Sequence, residues 1–409
     1  MHGLPQSSLA KPGRSDGRGA RLSRTLSGTN LARAGDYNLR TVLQSIRLAP
    51  GTTRIDIALQ TGLTGPTIAN ITGRLIDMGL VQVTGRRKSG RGQPAILLEV
   101  VPEGAFGIGL NIDRDHLTLV TLDLAGTVRC RVTREIAFPL PADVLRFLAD
   151  EWDDALAISG IDPARVLGMG VAVPDDMGRI VLPHQPPGYA AWNGTDLVSL
   201  LADAIPWPIH CDNDAAAAAL GEAEYGSAFD NPSFFYMLVS AGLGGGLVID
   251  RNYHRGASAR SGEIGLMPDA ARAGAQIQDT VSVSALLDRL ERAGHRAAEI
   301  GDLLKLESVA PEILERWLED AVRSLVAPLT AINCLLNPDA VLIGGRLPLP
   351  LIERLAEALT RALAEVDLPA RAPVKPAVMA QDAPAIGAAI LPFLDHLLPS
   401  DSILIQAGR

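Results

Sequence analysis

From Tyr37 onward, apolar residues Leu39, Val42, Leu43 and Ile46 recur at i, i+3, i+4 and i+7, one face of a helix that Pro50-Gly51 ends. Thr53-Arg54-Ile55-Asp56 has capping-box spacing and opens a short helix through Leu59, which Gly62 stops. Thr64 is placed to cap a third helix with Pro66 in its first turn. Ile68, Ile71, Leu75 and Met78 form its buried stripe, leaving Thr67, Asn70 and Arg74 on the opposite face. Residues 79–83 then read as a strand, residues 85–94 as a Gly/Arg-rich turn and residues 95–100 as a second strand, so a β-hairpin follows the helices.

Beyond Pro102 the pattern alternates strands with helices, the mark of α/β layering. Strands are expected at 106–110, 117–122, 168–173, 234–239, 247–250 and 340–343, and helices at 215–224, 321–336 and 385–397. Asn213-Asp214 falls at a strand-to-helix junction, where α/β sheets place ligand groups and where an N-cap is equally at home. Ser240-Ala241-Gly242-Leu243-Gly244-Gly245-Gly246 reads as a glycine loop open to close approach by an anion or sugar. Ser261-Gly262-Glu263-Ile264-Gly265 holds a carboxylate between glycines.

At 409 residues the chain should hold two or three folding units, and 47% apolar against 20% charged residues with a mean hydropathy of +0.18 describes a soluble globular protein. Cys130, Cys211 and Cys334 lie far apart without CxxC spacing, which supports neither a disulfide framework nor a cysteine-built zinc site and fits a reducing cytoplasm. Without an apolar leader core or a run of eighteen apolar residues, neither export nor membrane insertion is expected. The net charge of -9 conceals an asymmetry: residues 1–100 carry 14 Lys/Arg against 5 Asp/Glu, whereas the rest of the chain is strongly acidic. The basic front should seek a polyanion, which the acidic body would repel.

Two helices joined by a short glycine-containing turn, the second with small polar residues near its start, have the geometry that lets a helix enter the major groove. Asn70 could pair with an adenine edge, and Thr67 with a base or a thymine methyl, with Arg74 on the same face. Arg86, Arg87, Lys88 and Arg91 would form a basic wing on the phosphates or in the minor groove. A small structural bundle is the bland alternative for the helices, and a solvated basic tail for residues 1–35.

Taken in order, these pieces resemble the ROK family of repressors and sugar kinases, specifically its transcriptional-repressor branch, from about Tyr37 to Leu398. Asp212-Asn213-Asp214-Ala215 with Leu220-Gly221-Glu222 is similar to the family's Glu-Asn-Asp-Ala…Leu-Gly-Glu motif. Ala241 to Gly246 resembles its Thr-Gly-Ile-Gly-Gly-Gly loop, and Asn337-Pro338-Asp339 to Gly345 its Asn-Pro-Glu…Gly-Gly segment. The resemblance implies an α/β architecture: an N-terminal winged helix-turn-helix (36–100) after a basic, disordered lead (1–35), then an actin-like, ribonuclease H-like sugar-kinase body (101–409). Its lobes would be 101–210 with the C-terminal helix, and 211–384. It also implies that Asp214 stands at the catalytic-base position and that Asn213, Asp214, Glu263, Gln278 and Asn193 hold a sugar.

Three departures matter. Where family kinases have an Asp-x-Gly-Gly-Thr phosphate loop, this chain has Asn111-Ile112-Asp113-Arg114-Asp115, whose carboxylates would repel a triphosphate. Leu266 replaces the histidine of the family's zinc site, and no cysteine lies between Cys211 and Cys334. Asp175 stands where Pro-Gly is usual. The expectation is therefore a non-enzymatic, sugar-responsive transcriptional repressor, without metal or other cofactor, acting as a homo-oligomer, dimer or tetramer, on double-stranded operator DNA. An ATP-dependent sugar kinase with an attached DNA-binding domain is the alternative.

Overall fold

The computed structural model describes residues 31–87, 94–179, 185–226, 230–295, 302–303, 305, 310–379 and 382–399. The front domain comprises α1 (Leu31–Leu48), α2 (Arg54–Thr61), α3 (Gly65–Asp77), β1 (Val81–Arg87) and β2 (Ala95–Val100), the strands paired antiparallel. Helix α1 begins at Leu31, inside the segment expected as a lead; residues 1–30 lie outside the described residues. At α2 the Thr53 amide donates to Asp56 Oδ2 (3.1 Å) and the Asp56 amide to Thr53 Oγ1 (3.3 Å), completing the capping box; Gly62, at φ +70°, ends the helix. Leu39, Val42, Leu43, Ile46, Ile57, Ile68 and Leu75 are buried as their periodicity requires.

The body repeats one topology twice. The first sheet contains β3 (Phe106–Ile112), β4 (His116–Asp123), β5 (Val128–Glu135), β6 (Val166–Val173) and β7 (Ile209–Asn213), in the order β5-β4-β3-β6-β7. The second contains β8 (Phe234–Val239), β9 (Leu243–Ile249), β10 (Asn252–Tyr253), β11 (Ala340–Gly345) and β12 (Val374–Pro376), in the order β10-β9-β8-β11-β12. In each, one antiparallel meander of three strands is followed by two strands added in parallel. Between strands run α4 (Pro141–Ser159), α5 (Leu197–Leu201), α6 (Asp214–Tyr225), α7 (Gln278–Val281), α8 (Val283–Arg292), α9 (Pro311–Leu336) and α10 (Leu349–Ala364); α11 (Ala383–His396) closes the described chain. Because β7 pairs with β6, the first lobe extends to Asn213, past the expected boundary at 210.

Glycines in the strands are packing devices. A Cβ at Gly109 would stand 1.9 Å from Ala385 O and one at Gly170 1.8 Å from Ala388 O, so α11 lies with its backbone directly on β3 and β6. Gly244 and Gly246 lie inside β9, not in a loop as the sequence suggested; their absent side chains admit Ala215 and Ala219 of α6. Helix α11 also crosses α6 so closely that a Cβ at Gly387 would meet Ala217 O at 1.6 Å. On the opposite faces, α4 packs Val144, Phe147 and Leu148 on the first sheet, and α8 to α10 bury Leu286, Trp317 and Leu355 on the second.

Candidate nucleic-acid interface and interlobe cleft

On the front domain, Thr64 caps α3 and its hydroxyl lies 2.9 Å from that of Thr67. Asn70 and Arg74 are exposed on the same helix, while Thr67 is half-buried. Strand β1 continues through Arg87, so Arg86 and Arg87 extend from a strand instead of the hairpin tip. Both are exposed, but Arg87 Nη2 pairs with Asp56 Oδ2 at 2.8 Å; the hydrogen bonds from Thr53, and then Arg87, hold the Asp56 carboxyl below its ordinary value. Lys88 and Arg91 lie outside the described residues.

A narrow cleft opens between the lobes, lined by Asp175 and Asn213 from the first and by Tyr253, Arg260, Ser261 and Glu263 from the second. Asn213 Oδ1 accepts from the amides of Ala215 (2.9 Å) and Ala216 (3.1 Å), so this residue both caps α6 and faces the cleft. Asp214 is buried beside it. Burial, and next the charge of Asp113, push its carboxyl up to about 7. Burial also raises Asp175 and Glu263, each further repelled by neighbouring carboxylates. Asp214, Asn193 and Gln278 are not among the lining residues. Asn193 Oδ1 accepts from Arg179 Nε at 3.1 Å, and Gln278 donates to Gln276 at 2.8 Å beside Gly242.

Arginines of the second lobe meet carboxylates of the first across this cleft. Arg260 pairs with Asp176 and lies 3.9 Å from Asp175; Arg255 Nη1 donates to Asp212 at 3.1 Å. Arg346, 6% exposed, donates twice to Glu135 at 2.6 and 2.7 Å and lies 3.7 Å from Asp115. Asp176 and Ala259 both take left-handed backbone angles (φ 56° and 57°) beside the Arg260 pair, strain that the bridge helps to hold. Asp175, Arg260 and Tyr253 escaped the sequence reading as ligand groups because Asp175 and Arg260 sit in irregular segments and Tyr253 in a two-residue strand, none with a periodicity to assign it.

At the turn after β3, the Arg114 amide donates to Asp113 Oδ1 (2.7 Å), and His116 is held by Asp115 (2.6 Å) and Asn111 (3.2 Å). The Arg114 side chain reaches the second lobe: its Nη1 is 3.1 Å from where a Cβ on Gly242 would be. The family zinc does not fit the loop after Glu263, since residues 264–280 contain neither cysteine nor histidine. That loop is instead organised by buried Asp269, which accepts from Thr280 Oγ1 and Ser324 Oγ, both at 2.8 Å, and from the Ala271 amide at 2.9 Å.

Helix α6 connects the two sites. Its N-cap Asn213 and first-turn Ala215 line the cleft, with Asp214 buried between them, and its last turn carries Glu224 and Tyr225 against α1. Arg47 of α1 pairs there with Glu224, donates to the Glu224 carbonyl at 3.2 Å and lies 4.4 Å from the centre of the Tyr225 ring. Arg40 Nη1 donates to Asp395 O at 2.7 Å, at the end of α11. The front domain's core is continuous with the face of α11 through Phe393, Leu397 and Leu398.

A family model described as the ROK family matches residues 108–393, and one described as winged helix-turn-helix DNA-binding matches residues 36–82. An uncharacterized protein of Sinorhizobium fredii is 28% identical over 87% of this chain and 90% of its own length. The xylose repressor of Bacillus subtilis is 25% identical over 56% of this chain, which spans 60% of that repressor. Among solved structures, a ROK family transcriptional regulator, a homolog of the E. coli MLC protein, is 22% identical with a TM-score of 0.67, covering 91% of this chain and 98% of its own. A ROK hexokinase from Thermus thermophilus superimposes with a TM-score of 0.51 at 24% identity, over 71% of this chain and 98% of its own. The chain therefore belongs to the ROK family and carries an N-terminal winged helix-turn-helix ahead of a two-lobed sugar-kinase-like body.

Proposed function

We propose that this protein is a cytoplasmic, sugar-responsive transcriptional repressor that binds operator DNA as a homodimer and performs no phosphoryl transfer. The observation that carries the reading is α6, one rigid helix with its N-terminus in the cleft and its C-terminus buried against the DNA-binding domain. In the bound state, Asn70 and Thr67 of α3 would read base edges, while Arg74 and Arg86 contact phosphates. Asn213, Asp214 and Glu263 would accept from or donate to sugar hydroxyls, with Asn193 and Gln278 joining only if the lobes move. A sugar that competes for Asp175 or Arg260 would loosen the cross-lobe ion pairs, changing lobe closure and, through α6, the placement of α1. Such coupling requires the sugar to bind one closure state better than the other.

One feature supports the absence of catalysis: the Asp-x-Gly-Gly-Thr phosphate loop of family kinases is replaced here by Asn111-Ile112-Asp113-Arg114-Asp115, which lacks the glycines that let backbone amides close on phosphates. Asp214 would then serve as a ligand to a sugar hydroxyl with no phosphoryl donor for that hydroxyl to attack. Because several curated relatives are named xylose repressors, xylose is the first sugar to test. The test is selection of genomic fragments by the purified protein at near-physiological salt. A discrete palindromic site supports the reading; enrichment of bulk DNA only, together with sugar-dependent ADP release from ATP, would establish the kinase instead.

A further inference from the structure

At the far side of the first lobe, away from the cleft, β7 and the end of α11 bring together His210, Asp395 and His396. Each offers one donor atom, and the three donors lie within 4.8 Å of one another. The imidazole planes of His210 and His396 are nearly perpendicular (87°) with centroids 6.5 Å apart, and His396 Nε2 lies 3.6 Å from Asp395 Oδ2. Two sequence-distant elements thus converge on two imidazoles and a carboxylate, though the chain has only seven histidines.

The donors differ in a way that suits capture of an ion. His210 is half-buried, and its Nε2 is enclosed without a hydrogen-bond partner among the described residues, an unfavourable position for a polar nitrogen. Burial lowers its proton affinity, which favours the neutral ring that a metal requires. Side chains of His396 and Asp395 are 43% and 63% exposed, free to turn. Tetrahedral Zn²⁺ with ligand distances near 2.0–2.1 Å needs donors about 3.4 Å apart, so the exposed pair must draw in by roughly 1 Å toward the fixed imidazole.

We propose that His210, Asp395 and His396 bind one divalent transition-metal ion of the zinc class, with water completing the coordination. Imidazole and carboxylate donors favour Zn²⁺, Co²⁺ or Ni²⁺ over Mg²⁺ and Ca²⁺, which take oxygen ligands. The ion would clamp β7 to the C-terminal end of α11, the segment whose Asp395 carbonyl accepts from Arg40 of the DNA-binding domain. The site stands apart from the cleft and is independent of the sugar reading.

Zn²⁺ alone, titrated into metal-free full-length protein by calorimetry, tests it. Wild type should take up one equivalent that His396→Gln loses, while Mg²⁺ gives no corresponding event. His396 is surface-exposed at a helix end, so this variant keeps the fold, as circular dichroism would verify; His210→Gln is the second variant. Equal Zn²⁺ stoichiometry and affinity in wild type and His396→Gln would overturn the proposal, whatever other histidines contribute.

Discussion

The junction between α6 and α1 makes the most demanding prediction. Arg47 and Glu224 are 2% and 13% exposed at their side chains, so the pair is largely removed from water. Neutralising Glu224 by Glu224→Gln leaves a buried guanidinium without its countercharge, a change that typically costs about 3–5 kcal/mol. Arg47 keeps the Gln44 side-chain oxygen at 2.9 Å, the Glu224 carbonyl and the Tyr225 face, which places the expected loss near the lower bound, about 3 kcal/mol. Arg47→Met removes the charge and retains an apolar stem, so the double variant should recover much of that loss. Urea unfolding of the four proteins gives the cycle. All four tryptophans, Trp152, Trp192, Trp207 and Trp317, belong to the body, so fluorescence follows the body while far-ultraviolet circular dichroism follows both domains. A coupling energy of about 2 kcal/mol or more is expected; single losses that add to within about 0.5 kcal/mol would refute the contact and the path through α6.

Other consequences follow from the same geometry. Asn70→Ala should relax preference at one base position in each half-site, whereas Arg86→Ala should weaken all sequences alike and lower the salt slope by about 1, both read by fluorescence anisotropy across salt. Asp214 titrates near 7, and its ionised form is the better acceptor for sugar hydroxyls, so sugar affinity should rise as pH increases through about 7 and become flat in Asp214→Asn. The unliganded protein behaves oppositely: a folded-state value raised from 3.8 gives stability that is complete below that value and lost as pH rises through about 7, which urea midpoints at several pH values would show. Gly170→Ala would drive a methyl into Ala388 O and should cost about 3 kcal/mol or more, seen as a lower urea midpoint; an unchanged midpoint would contradict the helix-on-sheet contact.

Much of the architecture was legible because it rests on local rules. The Thr53/Asp56 capping box, the stop at Gly62 and the stripe of Ile68, Ile71 and Leu75 follow from short-range physics and lie where the sequence puts them. Glycines were harder to read. Gly109, Gly170, Gly244 and Gly246 are required by helices that arrive from distant parts of the chain, and nothing local separates that need from a ligand loop. Strand β5 was missed although Val128, Cys130 and Val132 alternate with Arg129 and Arg131, because that apolar face is short and buries only Cys130. In the cleft, Asn213 and Glu263 were legible from motif context, while Asp175 and Arg260 meet only across the lobes. The same holds for Arg47 and Glu224, and for His210 with His396: contacts of this kind exist only once the sheets and helices are assembled.

The most direct test of the central claim is operator affinity, measured by fluorescence anisotropy with the selected site, in the absence and presence of saturating sugar, for wild type and for the Arg47→Met/Glu224→Gln double variant. Cleft-to-DNA coupling through α6 predicts that sugar shifts wild-type affinity by about 5–150-fold and that the double variant, still binding both operator and sugar, loses most of this shift. A wild-type affinity unmoved by any sugar shown by calorimetry to occupy the cleft would contradict it.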